Sequence, residues 1–88
     1  MAEFRILHLD RLEDETSPLR EVGIVEAKNF QDAFVKSQNL DENWNPEFLC
    51  RSTSVGDYIE NIENYEIRQV NGIGFRVVDE PLIVHKRL

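Results

Sequence analysis

The residues best suited to chemistry lie in one short run, residues 51–54, which read Arg-Ser-Thr-Ser. An arginine beside three hydroxyls can bind an anion or a carboxylate through several N–H and O–H donors. A tight turn follows, in which Gly56 supplies free φ and Asp57 can accept backbone N–H groups. The alternative is structural: the hydroxyls cap the loop and Arg51 pairs with a nearby acid. The predicted binding residues in this stretch are Arg51, Ser52, Ser54 and Asp57.

Trp44 is the chain's single tryptophan and lies among polar residues. Tryptophan anchors many protein interfaces when part of its ring stays exposed. We therefore predict Trp44 as a further binding residue. The alternative is that it covers a small core beside Phe48.

Catalytic and metal-binding patterns are weak. His8, His85 and Cys50 show no ligand-like spacing, and neither histidine has the context of a catalytic base. The pair Gly72 and Gly74 lacks the third glycine and the following helix of a dinucleotide-binding loop. The sequence predicts a protein that is not an enzyme and that has no metal or cofactor.

Composition limits the class of protein. The 88 residues predict one domain, and a hydrophobic share of 41% predicts a folded core. We find no apolar run of the ~18–20 residues that a membrane span needs, and residues 1–4 lack a secretory signal pattern. With one cysteine, these features predict a cytoplasmic protein without membrane association.

Charge narrows the choice of partner. The net charge of −7 makes nucleic acid an unlikely partner, because phosphate binding is driven mainly by clustered Lys and Arg. Residues 41–66 contain seven acidic side chains against one basic residue, Arg51. This segment is either a solvated acidic surface or a patch for a basic partner.

The first half of the chain predicts two strands and one helix. Residues 4–9 have apolar side chains on both faces, as in a central strand. A loop over residues 10–20 would join them to a second strand, residues 21–27, in a loose hairpin. Asn29 can cap a helix of about residues 30–38, whose apolar positions repeat with helical spacing. Asp32 completes a capping-box variant, and Asn39 can end the helix.

The second half predicts four strands, at residues 57–62, 65–70, 73–79 and 82–86. Asn71-Gly72 is the strongest hairpin signal. We predict a three-residue loop with Gly72 left-handed in a bulge, which pairs Gln69 with Ile73. The predicted contacts of that register are Ile67 with Phe75, Tyr65 with Val77, and Glu66 with Arg76.

Together the elements predict an α+β fold. It is a single small domain, residues 1–88, with one short helix on a mostly antiparallel sheet or small, partly open barrel of about 5–6 strands.

The run Arg51-Ser-Thr-Ser-Val-Gly-Asp-Tyr-Ile59, followed by Gly74-Phe75, resembles a known signature. It is similar to the Arg-Ser-Leu-Ser-Val-Gly-Asp-Val-Ile motif of the YodL-like family, whose members are small prokaryotic and phage-associated proteins. Thr53 and Tyr58 replace the commoner Leu and Val. The resemblance implies no established cofactor or catalytic residue. It suggests a chain encoded on a phage or other mobile element.

Three functions follow as hypotheses. The first is a non-enzymatic protein-interaction module with a protein partner, acting as a monomer or homodimer. The second is a small nucleic-acid-binding barrel. The third is an inhibitor whose acidic segment, residues 41–66, imitates nucleic acid.

Overall fold

The computed structural model describes residues 1–9, 19–38, 52–79 and 84–85, the last two by their backbone only. The elements are β1 (Ala2–Leu9), β2 (Leu19–Ala27), α1 (Phe30–Lys36), β3 (Tyr58–Asn61), β4 (Ile67–Asn71), β5 (Gly74–Val77) and β6 (Val84–His85). The strands form one open sheet in the order β5-β4-β3-β1-β2-β6. The first five pair antiparallel, and β6 joins β2 in parallel. The predicted small α+β domain with a mostly antiparallel sheet is confirmed.

Strand β1 is central in the sheet, between β2 and β3, as its apolar residues on both faces predict. Phe4 and Ile6 point to the helix side and Leu7 to the opposite side, and all three are buried. The register between β1 and β2 shifts by one residue at Val22. This bulge places the extra valine in the buried core instead of in the ladder.

Helix α1 begins at the predicted cap. The Asn29 side chain accepts a hydrogen bond from the Asp32 N–H at 2.8 Å, and the Asp32 carboxylate accepts one from the Lys28 N–H at 3.0 Å. The helix ends at Lys36, where Ser37 is the C-terminal cap. The predicted cap Asn39 lies outside the described residues.

One face of α1 packs on the sheet. Phe30 and Ala33 are buried, and the Phe30 ring meets Phe4 edge-on with 5.1 Å between ring centroids. Phe30 also reaches Phe75 on β5, and the Arg68 guanidinium lies 4.5 Å from the Phe30 ring centroid. A helix of seven residues is not stable by itself, so these contacts hold it in place.

The hairpin between β4 and β5 forms near Asn71-Gly72, but the predicted register is wrong. Gln69 pairs with Arg76 instead of Ile73. The residue with positive φ is Gly74, at +148°, and not Gly72. The turn therefore lies further along the chain than predicted, and every cross-strand partner changes.

Two interactions explain the observed register. The Asn71 side chain accepts a hydrogen bond from the Ile73 N–H at 3.1 Å, which stabilises a turn centred after Asn71. The register also places Val70 opposite Phe75, and both contribute to the helix side of the sheet. Contact between Phe75 and Phe30, a residue far away in sequence, favours this pairing.

The side-chain contacts expected from the predicted register, with Gln69 opposite Ile73, are wrong as well. Tyr65 is not part of a strand, because it adopts φ of +62° in the loop before β4. Glu66 pairs with Arg68, with 2.6 Å between Oε2 and Nε. Arg76 donates hydrogen bonds to the side chain of Gln69. Ile67 pairs with Glu60 of β3 on the sheet face away from the helix.

Candidate functional site

The five predicted binding residues do not form one described surface. Arg51 and Trp44 lie outside the described residues. Ser52 and Ser54 are half-buried, and Asp57 is fully buried. The structure brings Ser54 and Asp57 into contact, and that contact faces inward.

The Asp57 carboxylate joins the loop to β1. Its Oδ1 accepts a hydrogen bond from the Leu9 N–H at 2.9 Å, and its Oδ2 accepts one from the Ser54 N–H at 2.8 Å. The Ser54 hydroxyl also donates a hydrogen bond to Asp57 Oδ2, at 3.4 Å. A buried carboxylate needs such partners, because burial without hydrogen bonds is strongly unfavourable. The interaction with the turn was predicted, and the interaction with β1 was not.

Sequence reasoning missed two members of this cluster, His8 and Thr53. His8 Nε2 lies 2.9 Å from the Thr53 hydroxyl and 3.9 Å from Asp57 Oδ2, and Thr53 is 1% exposed. In a catalytic triad the histidine uses one ring nitrogen for the nucleophile and the other for the carboxylate. Here Thr53 and Asp57 approach the same nitrogen. The geometry is that of a buried structural cluster and not of a triad.

Backbone contacts anchor the same loop at two further points. The Thr53 N–H donates to the Ser37 carbonyl at 3.3 Å, which connects the loop to the end of α1. Gly56 adopts φ of +99°, and its N–H donates to the Val70 carbonyl at 2.9 Å. The left-handed backbone explains why glycine stands there. The loop therefore positions α1, β1 and β4 relative to one another.

Two acidic residues of the predicted acidic segment pair with arginines in the part of the chain that the structure describes. Arg5 forms an ion pair with Glu60 across β1 and β3, and its Nε lies 2.7 Å from Glu21 Oε1 without the alignment of a hydrogen bond. Glu66 pairs with Arg68. Two of the segment's acids, Glu60 and Glu66, thus face arginines, which reduces the negative potential they present to a partner.

The outer edge of β5 is a different kind of surface. No strand of the described residues pairs with it. The Val78 N–H donates to the Ile67 carbonyl at 3.0 Å, so Val78 occupies a hydrogen-bonded position of the ladder with β4. Such positions alternate along an antiparallel strand. The N–H and C=O groups of Phe75 and Val77 therefore point away from β4. Val77 is 52% exposed, and Ile73, at the turn, is 100% exposed.

The hairpin that carries this edge differs in charge from the rest of the chain. Residues 67–78 contain Arg68 and Arg76 and no acidic residue, in a chain of net charge −7. We call residues 73–77, with their outward backbone groups, the β5 edge. Such an edge can bind an extended peptide backbone by adding a strand to the sheet. The alternation Ile73, Phe75, Val77 predicts a strand, and the order of the sheet places that strand at an edge.

Comparison of the chain with protein-family models, curated proteins and solved structures finds no match. Among the described residues, no group of three or more His, Cys, Asp and Glu side chains is placed to hold a metal ion. In the same part of the chain, no helix combines the length and the apolar composition of a membrane span.

Proposed function

We propose that this protein is a non-enzymatic protein-interaction module that binds an extended segment of a protein partner along the β5 edge. The observation that carries the proposal is the row of outward backbone groups on Phe75 and Val77 beside exposed apolar side chains. Main-chain hydrogen bonds would supply affinity, and the alternating side chains would supply specificity.

The weak protection of this edge supports the proposal. Natural sheets usually block exposed edges with prolines, inward-pointing charges or bulges, because an unpaired edge is a template for association. Residues 73–77 contain neither proline nor an acidic residue, and Arg76 is the single charge. Ile73 and Val77 remain exposed beside it.

The other two functions have less support. Nucleic-acid binding at the hairpin of residues 67–78 would rest on Arg68 and Arg76, in a chain of net charge −7, and Arg68 already pairs with Glu66. Imitation of nucleic acid by the acidic segment is weakened by the pairing of Glu60 and Glu66 with arginines. Membership of the YodL-like family, a phage or mobile-element origin and a cytoplasmic location stay predictions from the sequence.

The substitution Val77→Pro tests the proposal. It removes an N–H that points away from β4, so it blocks strand addition while keeping the ladder between β4 and β5. Val77→Thr is the matched control, because it keeps both the N–H and the β-branched shape.

The measurement is affinity capture from a bacterial lysate, followed by amide hydrogen exchange of the complex. We expect a captured protein to be lost with Val77→Pro and kept with Val77→Thr, and we expect slower exchange at Phe75 and Val77. Equal capture by both variants, or a complex that leaves these two amides unprotected, would refute binding along the β5 edge.

A further inference from the structure

We propose that the β5 edge binds the β5 edge of a second copy of this chain, so that two sheets join antiparallel across a two-fold axis. This inference rests on the proposed function, because it names an occupant of the same edge. Its physical basis is that the edge is complementary to itself in one register.

The direction of the backbone groups restricts that register. Phe75 and Val77 direct their N–H and C=O groups outward, so they must occupy the hydrogen-bonded positions of the new ladder. Placing Phe75 opposite Phe75 of the second copy meets this requirement. Val77 then lies opposite Ile73 of the second copy and can donate its N–H to the Ile73 carbonyl. The Ile73 N–H already donates to Asn71.

Side chains select this register over its neighbours. A shift that places Arg76 opposite Arg76 would put like charges at the axis, which is unfavourable. A shift centred on Val77 would place the apolar Phe75 opposite Asp79. In the proposed register Arg76 lies opposite Gly74 instead. An added Cβ at Gly74 would meet no atom within 4 Å, so there is space for the long arginine side chain.

The same register covers the exposed apolar side chains of the hairpin. Ile73 is 100% exposed and Val77 is 52% exposed, and each would lie across from the other in the second copy. The two-fold axis produces this contact between Ile73 and Val77 twice, and the burial of both pairs contributes hydrophobic free energy to association. The two Phe75 rings would extend the aromatic contact that Phe75 makes with Phe30.

Charge and size determine the strength of the dimer. Two copies of net charge −7 repel each other, and the acid-free hairpin of residues 67–78 is a region where this repulsion is smaller. Five residues from each copy form a small interface, below about 1,200 Å² in total, which is typical of weak complexes. We therefore expect a dimer that dissociates on dilution, with a Kd in the range of about 10 µM to 1 mM.

Cysteine cross-linking tests the register, in a background in which Cys50 is replaced by serine. Phe75→Cys places two cysteines at the axis, about 5.5 Å apart between Cα atoms, within disulfide range. Val77→Cys is the control, because the two positions would lie more than about 10 Å apart. With diamide as oxidant, we expect a disulfide dimer from Phe75→Cys and little from Val77→Cys. The reverse pattern would overturn the register.

Sedimentation velocity over a series of concentrations tests the dimer without disturbing the core. We expect wild type and Val77→Thr to associate, and Val77→Pro to need at least tenfold higher concentration. A wild-type monomer at millimolar concentration would overturn the dimer. If Val77→Pro then still abolished capture of another protein, the proposed function would stand without self-association. If the wild type stayed monomeric and Val77→Pro did not reduce capture of another protein, both proposals would be overturned.

Discussion

Replacement of Asp57 by alanine is expected to destabilise the fold far more than replacement of an ordinary surface acid. The substitution removes the acceptor of two backbone N–H groups, on Leu9 and Ser54, and also removes the carboxylate near His8. These contacts connect β1 to the loop before β3. Their loss therefore acts on the central strand as well as on the loop.

The number of hydrogen bonds that Asp57→Ala removes determines how much stability the protein loses. A hydrogen bond to a charged group contributes about 1.5–3 kcal/mol, so the two backbone bonds together contribute about 3–6 kcal/mol. A domain of this size has a total stability of about 4–13 kcal/mol. Asp57→Ala should thus remove a large share of the stability. Asp57→Asn keeps one acceptor oxygen and should lose about half as much.

Urea denaturation followed by far-UV circular dichroism measures this effect. With a slope of about 1 kcal/mol/M, Asp57→Ala should lower the midpoint by about 3–6 M or unfold the protein outright. Asp79→Ala is the control, since Asp79 is exposed, and it should change stability by less than about 0.5 kcal/mol. If Asp57→Ala were no more destabilising than Asp79→Ala, the structural role of Asp57 would be refuted, and its predicted binding role would regain support.

Two further predictions concern local structure. Tyr65 is 77% exposed with φ of +62°, a backbone that costs a non-glycine residue about 1–2 kcal/mol. Tyr65→Gly relieves this cost, and after the entropic penalty of glycine it should raise stability by about 0.5–1 kcal/mol in the same urea assay. A gain of equal size from Tyr65→Ala would contradict the explanation, because alanine also has a Cβ. The hydrogen bond from the Lys28 N–H lowers the pKa of Asp32 below its ordinary value of 3.8, and Lys36 adds to this effect. The stabilisation by the Asp32 carboxylate should be complete above pH 3.8 and should disappear as pH falls through the lowered pKa. The Tm values of wild type and Asp32→Asn, measured over a range of pH, should therefore converge in acid. A Tm difference that stays constant with pH would contradict this.

Patterns along the chain predicted the kinds of element correctly, because their signals are local. The cap at Asn29 and Asp32 depends on side chains three residues apart, and Gly56 shows its conformational role by its identity alone. The apolar residues on both faces of β1 correctly placed that strand at the centre of the sheet. Each of these signals is contained within one short segment.

The register of the β4–β5 hairpin and the cluster around Asp57 depend on contacts that no local pattern encodes. The hairpin was predicted from its own apolar residues, whereas its observed register places Phe75 against Phe30 of a distant helix. His8 meets Thr53 across 45 residues of sequence, and Leu9 meets Asp57 across 48. The sequence by itself determined which segments form strands and the helix, the cap of that helix at Asn29 and the turn at Gly56. The tertiary structure alone decided that Asp57 faces the interior and that the β5 edge faces outward, because both depend on which distant segments the folded sheet places side by side.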